Sequence, residues 1–126
     1  MSILLDSHFF LWSATAHKKL SDDISKIIEE SEEVFVSIAS LWELSLKASL
    51  GKIQFKGDIF DRFEERGYKL LPITKEHIKQ YAKLPLLHRD PFDRMIISQA
   101  QYENLLLVTV DQEIIQYDVS IYKNSI

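Results

Sequence analysis

The run LLLV at Leu105–Val108 decides how the rest of the chain is read. Four apolar residues in succession, without polar alternation, suit a strand covered on both faces rather than one half-exposed to water. Such a strand belongs in a parallel sheet whose helical connections lie over both faces. The stretch just before it agrees. PFDRMIISQAQYE, Pro91–Glu103, has helical patterning, and Asp90-Pro91 supplies an N-cap and a first-turn proline.

Outward from there, short apolar runs alternate with amphipathic segments. Strands are expected at Ile3–Leu5, Val34–Ser37, Lys69–Ile73, Leu105–Thr109 and Val119–Tyr122. Helices are expected at His8–Ala14, Asp22–Ser31, Ile38–Leu50, Asp58–Arg66, Lys75–Leu84 and Pro91–Glu103, with one helical turn at Glu113–Tyr117. Ser21 caps the second helix, which sets Ile24, Ile27 and Ile28 at helical spacing. Gly51 and Gly67 stop the third and fourth helices. Pro72 confines its strand to an edge or cuts it short. Thr74 caps the next helix, but His77 stands where a capping box wants Glu or Gln, so the weaker kind of cap is expected. The alternation predicts an α/β fold with a mostly parallel central sheet and helices on both faces. With 126 residues and no repeat, low-complexity segment or linker, one domain over 1–126 is expected.

Composition narrows the function classes. Apolar residues make up 46% of the chain and charged residues 27%, as in soluble globular proteins. The absence of cysteine excludes disulfides, thiolate zinc, iron–sulfur clusters and a cysteine nucleophile. It also agrees with a cytoplasmic location. MSILLD reaches an acid too early for a signal peptide, and no apolar run approaches the ~20 residues of a membrane helix, so no membrane partner is expected. A net charge of −4 argues against a broad nucleic-acid-binding surface. It leaves room for an enzyme that grips phosphate through bound cations.

In open α/β sheets, ligands bind beyond the carboxyl ends of the strands. Asp6 directly follows the first strand, and Ser37 ends the second, ahead of a helix carrying Glu43. Thr109 and Asp111 follow the apolar strand, while Asp90 and Asp93 open the helix before it. Each acid also has a plainer use. Asp6 suits a cap for the helix at His8, Asp111 a turn, and Asp90-Pro-Phe-Asp93 a helix start. Glu43 shares a helix face with Ala39, Leu46 and Leu50, where an unpaired charge is costly. An i,i+4 pair with Lys47, worth ~0.2–0.5 kcal/mol, does not explain that placement. Crowded carboxylates need a cation or raised pKa values. Oxygen donors without cysteine select Mg²⁺ or Mn²⁺, which polarise a phosphodiester and activate water. The chemistry indicated is metal-assisted phosphoryl hydrolysis.

These residues carry a resemblance. LLDSH at Leu4–His8, SLWEL at Ser40–Leu44, LGKI at Leu50–Ile53, LPLLHRDPFDRMIISQA at Leu84–Ala100 and TVD at Thr109–Asp111 occur in the order seen in PIN-domain ribonucleases. The chain resembles in particular the VapC-like toxins of type II toxin–antitoxin modules. The resemblance implies a three-layer fold and an acidic Mg²⁺ or Mn²⁺ site formed by Asp6, Glu43, Asp93 and Asp111. Asp93 rather than Asp90 is the matching acid, because it directly precedes the apolar run RMIISQA; Asp90 is implied to stand behind it. Ser7 replaces the usual threonine and keeps the hydroxyl. The family reaction is in-line attack of metal-activated water on RNA, leaving a 5′-phosphate and a 3′-hydroxyl. Ser7, Ser37 and Thr109 are then positioned to bond phosphate or the acids. Arg89 and Arg94 are either phosphate contacts or solvated arginines beside a cap. An antitoxin protein and a homodimer are the implied partners, so FFLW at Phe9–Trp12 is either core or part of a contact surface. His8 and His88 are read as structural or supporting groups, and His17 and His77 as surface residues. Lys18-Lys19 is too short for a basic patch.

Two other classes compete. A phospho-accepting receiver domain would need an acid pair after the first strand and a lysine after the last inner strand; Asp6 stands alone, and no lysine closely follows Leu105–Thr109. A catalytically idle partner-binding PIN domain would have no need of the full acid set.

Overall fold

A computed structural model describes residues 2–15, 21–54, 57–109 and 111–122. His17, Lys18 and Lys19 lie outside the described residues. Five strands form one sheet: β1 Ile3–Leu5, β2 Val34–Ser37, β3 Lys69–Leu71, β4 Leu106–Val108 and β5 Ile121–Tyr122. Their order is β3-β2-β1-β4-β5, and every pairing is parallel. The connections are α1 Ser7–Thr15, α2 Asp22–Glu30, α3 Ile38–Ser49, α4 Ile59–Glu65, α5 Lys75–Ala82, α6 Pro91–Glu103 and α7 Gln112–Ile115.

The period-two alternation of the strands divides the core. Ile3, Leu5, Val34, Val36 and Val108 face one side, packed with Phe9 and Phe10 of α1, Ile24 of α2 and Leu41 and Leu44 of α3. Leu4 and Leu107 face the other, with Ile96, Ile97 and Ala100 of α6 and Ile114 of α7. Every central strand is therefore buried on both faces, the condition that LLLV signals. Phe9 and Phe10 are fully buried, which assigns that part of FFLW to the core.

Where the bounds differ from expectation, a local cause is visible. β2 and α6 have the expected limits. β3 ends at Leu71 because Pro72 has no amide to pair. Gly51 and Gly67 follow α3 and α4 at φ 73 and 70, a left-handed region that suits glycine. Asn104 ends α6 in the same region, at φ 56.

Two residues depart from their expected roles. His77 is a core residue, 1% exposed, not a surface one. It completes a true capping box: Thr74 Oγ1 accepts from the His77 amide at 3.3 Å, and His77 Nδ1 accepts from the Thr74 amide at 3.1 Å. An imidazole nitrogen can do the accepting that Glu or Gln usually does. With Nδ1 as acceptor, Nε2 carries the hydrogen and donates to Glu103 Oε1 at 3.3 Å. Arg94, 8% exposed, is not a solvated side chain. Its Nη1 donates to Pro85 O at 3.0 Å and to the Tyr117 hydroxyl at 3.1 Å, and its guanidinium lies over the Tyr81 ring.

Candidate active site

The strand order reverses beside β1. From β1 the chain steps outward to β2 and β3, then returns to place β4 on the other side of β1. Crevices form beyond the carboxyl ends of strands at such a point. Asp6 follows β1, and Thr109 and Asp111 follow β4. The Asp6 amide donates to Val108 O at 3.1 Å, which ties the two strand ends together.

Asp6 is 3% exposed and accepts from the Phe9 amide at 2.9 Å through Oδ1, so it also caps the first turn of α1. Burial pushes its pKa above the ordinary carboxyl value, with Asp111 adding to the rise; the Phe9 amide and the Thr109 hydroxyl pull against it. Ser7 donates from Oγ to Glu43 Oε1 at 2.9 Å inside the protein. The second Glu43 oxygen lies 3.0 Å from Lys47 Nζ. Glu43 is thus buried at 5% exposure and makes the i,i+4 pair with Lys47, its plainer expected use.

α6 brings the next acid. Asp90 Oδ1 accepts from the amides of Phe92 and Asp93, the cap expected of Asp-Pro-Phe-Asp. That cap sets Asp93 in the first turn, partly buried, with Oδ2 2.8 Å from His88 Nε2. Burial raises the Asp93 carboxyl to about 6; the hydrogen bond from His88 opposes this, while Asp90, Glu43 and Asp111 add to it. α3 and α6 meet nearby through an edge-to-face contact of Trp42 and Phe92, with centroids 5.0 Å apart. The neighbours of those rings in sequence are Glu43 and Asp93. Asp111 caps α7 by accepting from the Glu113 amide at 2.9 Å, and Thr109 Oγ1 accepts from the Asp111 amide at 3.1 Å.

Among the described residues, His88, Asp90 and Asp93 bring donor atoms within 4.8 Å of one another, and Asp6, Glu43 and Asp111 stand outside that cluster. Asp93 feels Asp90, Glu43 and Asp111, and Asp6 feels Asp111. Ser37 is spent as the cap of α3, accepting from the Ala39 amide at 3.0 Å. Arg89 is exposed and lines a groove of about 360 Å³ with Lys47, Lys52, Glu43 and Asp90. His88, read as a structural or supporting group, supports Asp93 through its 2.8 Å contact. A ring nitrogen of His88 and one carboxylate oxygen each of Asp90 and Asp93 lie within 4.8 Å of one another, close enough for one ion. The donor set of carboxylates and one imidazole, with acids whose charge is disfavoured by burial, fits a divalent cation.

Comparison with known proteins agrees with the fold. The family model of the PIN domain matches residues 3–120. Ribonuclease VapC22 of Mycobacterium tuberculosis is 28% identical over 116 residues, covering 90% of this chain and 89% of that protein. VapBC2 of Rickettsia felis, solved with a DNA fragment from its promoter, contains a chain that superposes with a TM-score of 0.72 at 16% identity, covering 97% of this chain and 98% of that one. A toxin–antitoxin complex from Klebsiella pneumoniae gives a TM-score of 0.67 at 13% identity, covering 96% of both chains. Among the described residues no helix is long and apolar enough to cross a membrane.

Proposed function

Since the chain belongs to the PIN-domain family, we propose that it is a Mg²⁺- or Mn²⁺-dependent endoribonuclease and the toxin of a VapC-like toxin–antitoxin pair. The observation that carries this reading is Asp93 in the first turn of α6, its carboxyl raised to about 6 by burial and by Asp90, Glu43 and Asp111, with Asp6 and Asp111 following β1 and β4 on either side of the switch point. A site that makes its own carboxylates reluctant to ionise is completed by a cation.

Asp6, Glu43, Asp93 and Asp111 hold the ion in this reading. Bound there, it would supply Lewis-acid polarisation of the phosphodiester and activation of water. Ser7 keeps Glu43 oriented through its 2.9 Å hydrogen bond. Asp90 fixes the first turn of α6, and with it Asp93. Arg89 and Lys52, in the groove beside Glu43 and Asp90, give the RNA backbone cationic contacts at the edge of an otherwise acidic protein. Thr109 orders the turn that presents Asp111. The resemblance in sequence to a protein named as a ribonuclease supports the RNA substrate.

The partners follow from the same reading. A largely apolar groove of about 280 Å³ is lined by Trp42, Ile73, Ile78, Tyr81, Phe92 and Met95. Trp42 is 63% exposed, and Ile78 is exposed beside it. Such a surface suits a protein contact; we assign it to the second copy of a homodimer. The antitoxin is a separate partner, supported by the shared fold of toxin–antitoxin complexes. The test is incubation of the purified protein with structured RNA in Mn²⁺ or in EDTA. Cleavage confined to the Mn²⁺ sample is expected, and equal cleavage in both sinks the reading.

A further inference from the structure

The four acids leave His88 without a role, yet it makes the tightest side-chain contact of Asp93, Nε2 to Oδ2 at 2.8 Å. We propose that His88 is itself a ligand of the divalent ion, so that the centre has mixed nitrogen and oxygen donors and favours first-row transition ions over Mg²⁺. The proposal rests on the metal-dependent reading of the site given above.

Three features of the structure support it. The first is spacing. Donors at ~2.1 Å from an octahedral ion and at right angles to each other are about 3 Å apart. His88 Nε2 and Asp93 Oδ2 already stand at that separation, and the Asp90 carboxylate lies within the same 4.8 Å cluster. The second is the far side of the ring. His88 Nδ1 faces Glu113 Oε2 at 3.9 Å. A histidine that binds a metal through one nitrogen commonly directs the other toward a carboxylate, which sets its tautomer and orientation.

The third is the rigidity of the backbone behind His88. The Tyr117 hydroxyl accepts from the Leu87 and His88 amides at 3.1 and 2.9 Å and donates to Pro85 O at 2.9 Å. Buried Arg94 donates to Pro85 O as well. The imidazole is thus carried on a fixed support, as a preorganised ligand requires. Replacing an oxygen donor by imidazole leaves Mg²⁺ poorly served, because it is a hard ion that prefers oxygen, and it improves the site for transition ions. Arg94 and Tyr117 are positioning residues in this scheme.

The test uses the full chain loaded with Mn²⁺, studied by electron spin echo modulation with natural-abundance and ¹⁵N-labelled histidine. A directly bound nitrogen is expected in wild type, changed by the label, absent in His88→Gln and retained in His8→Gln. His8 is the needed control because it is exposed near Asp6 and is felt by it. Titration with Mn²⁺ and with Mg²⁺ is expected to show the affinity ratio falling about tenfold in His88→Gln. Mn²⁺ bound without histidine nitrogen coupling in wild type overturns the proposal, even if His88→Gln cannot be purified. So does an unchanged ratio in a folded His88→Gln. Either result leaves the nuclease reading standing, because RNA cleavage is scored separately; a coupled nitrogen without cleavage supports His88 and removes the nuclease.

Discussion

Ser7 Oγ donates a 2.9 Å hydrogen bond to Glu43 Oε1, joining the start of α1 to the middle of α3 inside the protein. The resemblance put the Ser7 hydroxyl among groups that bond phosphate or the acids, and in the fold its partner is Glu43. Ser7→Ala leaves a buried carboxylate oxygen without its donor. It is expected to cost about 1–3 kcal/mol in urea unfolding and to slow RNA cleavage. Ser7→Thr keeps the hydroxyl and is expected to retain most of both. Equal stability of Ser7→Ala and wild type would contradict the role given to this bond.

The metal-free protein is expected to lose stability as pH rises from about 4.5 to 8. Asp93 has a folded pKa of about 6 against 3.8 for the free side chain. Between those values the native state binds more protons than the unfolded state, so stability falls with rising pH. His88 acts in the same direction. Burial opposes its charge, but Asp93 and other acids raise its pKa above 6.5 on balance, so its stabilising contribution is lost as pH climbs through the raised value. Melting curves in EDTA across this range check the slope. Asp93→Asn is expected to flatten it and to raise the melting temperature at pH 8, through removal of a charge that burial and Asp90, Glu43 and Asp111 disfavour. An unaltered slope, or a lower melting temperature at pH 8, counts against the crowded site.

Tyr117→Phe removes one oxygen that serves the amides of Leu87 and His88, Pro85 O and Arg94 Nη1. The expected cost is about 1–3 kcal/mol, with faster hydrogen exchange at the Leu87 and His88 amides. Exchange at those amides matching wild type would show that the loop is held by something else.

Trp42→Glu places a charge in the apolar groove shared with Phe92 and Met95. It is expected to shift the protein from dimer to monomer in light scattering, with Mn²⁺-induced stabilisation preserved. An unchanged mass would remove this face from the dimer interface.

Much of the architecture was legible because it is written locally. LLLV and VFVS report burial on both faces, and Asp90-Pro91 fixes the start of α6 to the residue. The acids were legible as residues that follow strands or open helices; Asp6 and Asp90 are indeed caps, and Asp111, read as a turn residue, caps α7. What escaped depends on partners distant in sequence. Arg94 reads as a surface cation until Pro85 and Tyr117 fold around it. His77 reads as exposed until Glu103 of α6 reaches its Nε2. Periodicity reports which face of an element is apolar, but not which polar groups find each other across elements.

Single-turnover cleavage of a structured RNA in Mn²⁺ by wild type, Asp90→Asn and Asp93→Asn separates a capping acid from a metal-holding one. Asp90 caps α6 through Oδ1, which the amide side chain can still do, whereas Asp93 is assigned to the ion itself. Asp93→Asn is expected to lower the rate about a hundredfold or more, with Asp90→Asn much closer to wild type and 5′-phosphate ends on the products. Wild-type cleavage by a folded Asp93→Asn protein would contradict a metal-holding role for Asp93.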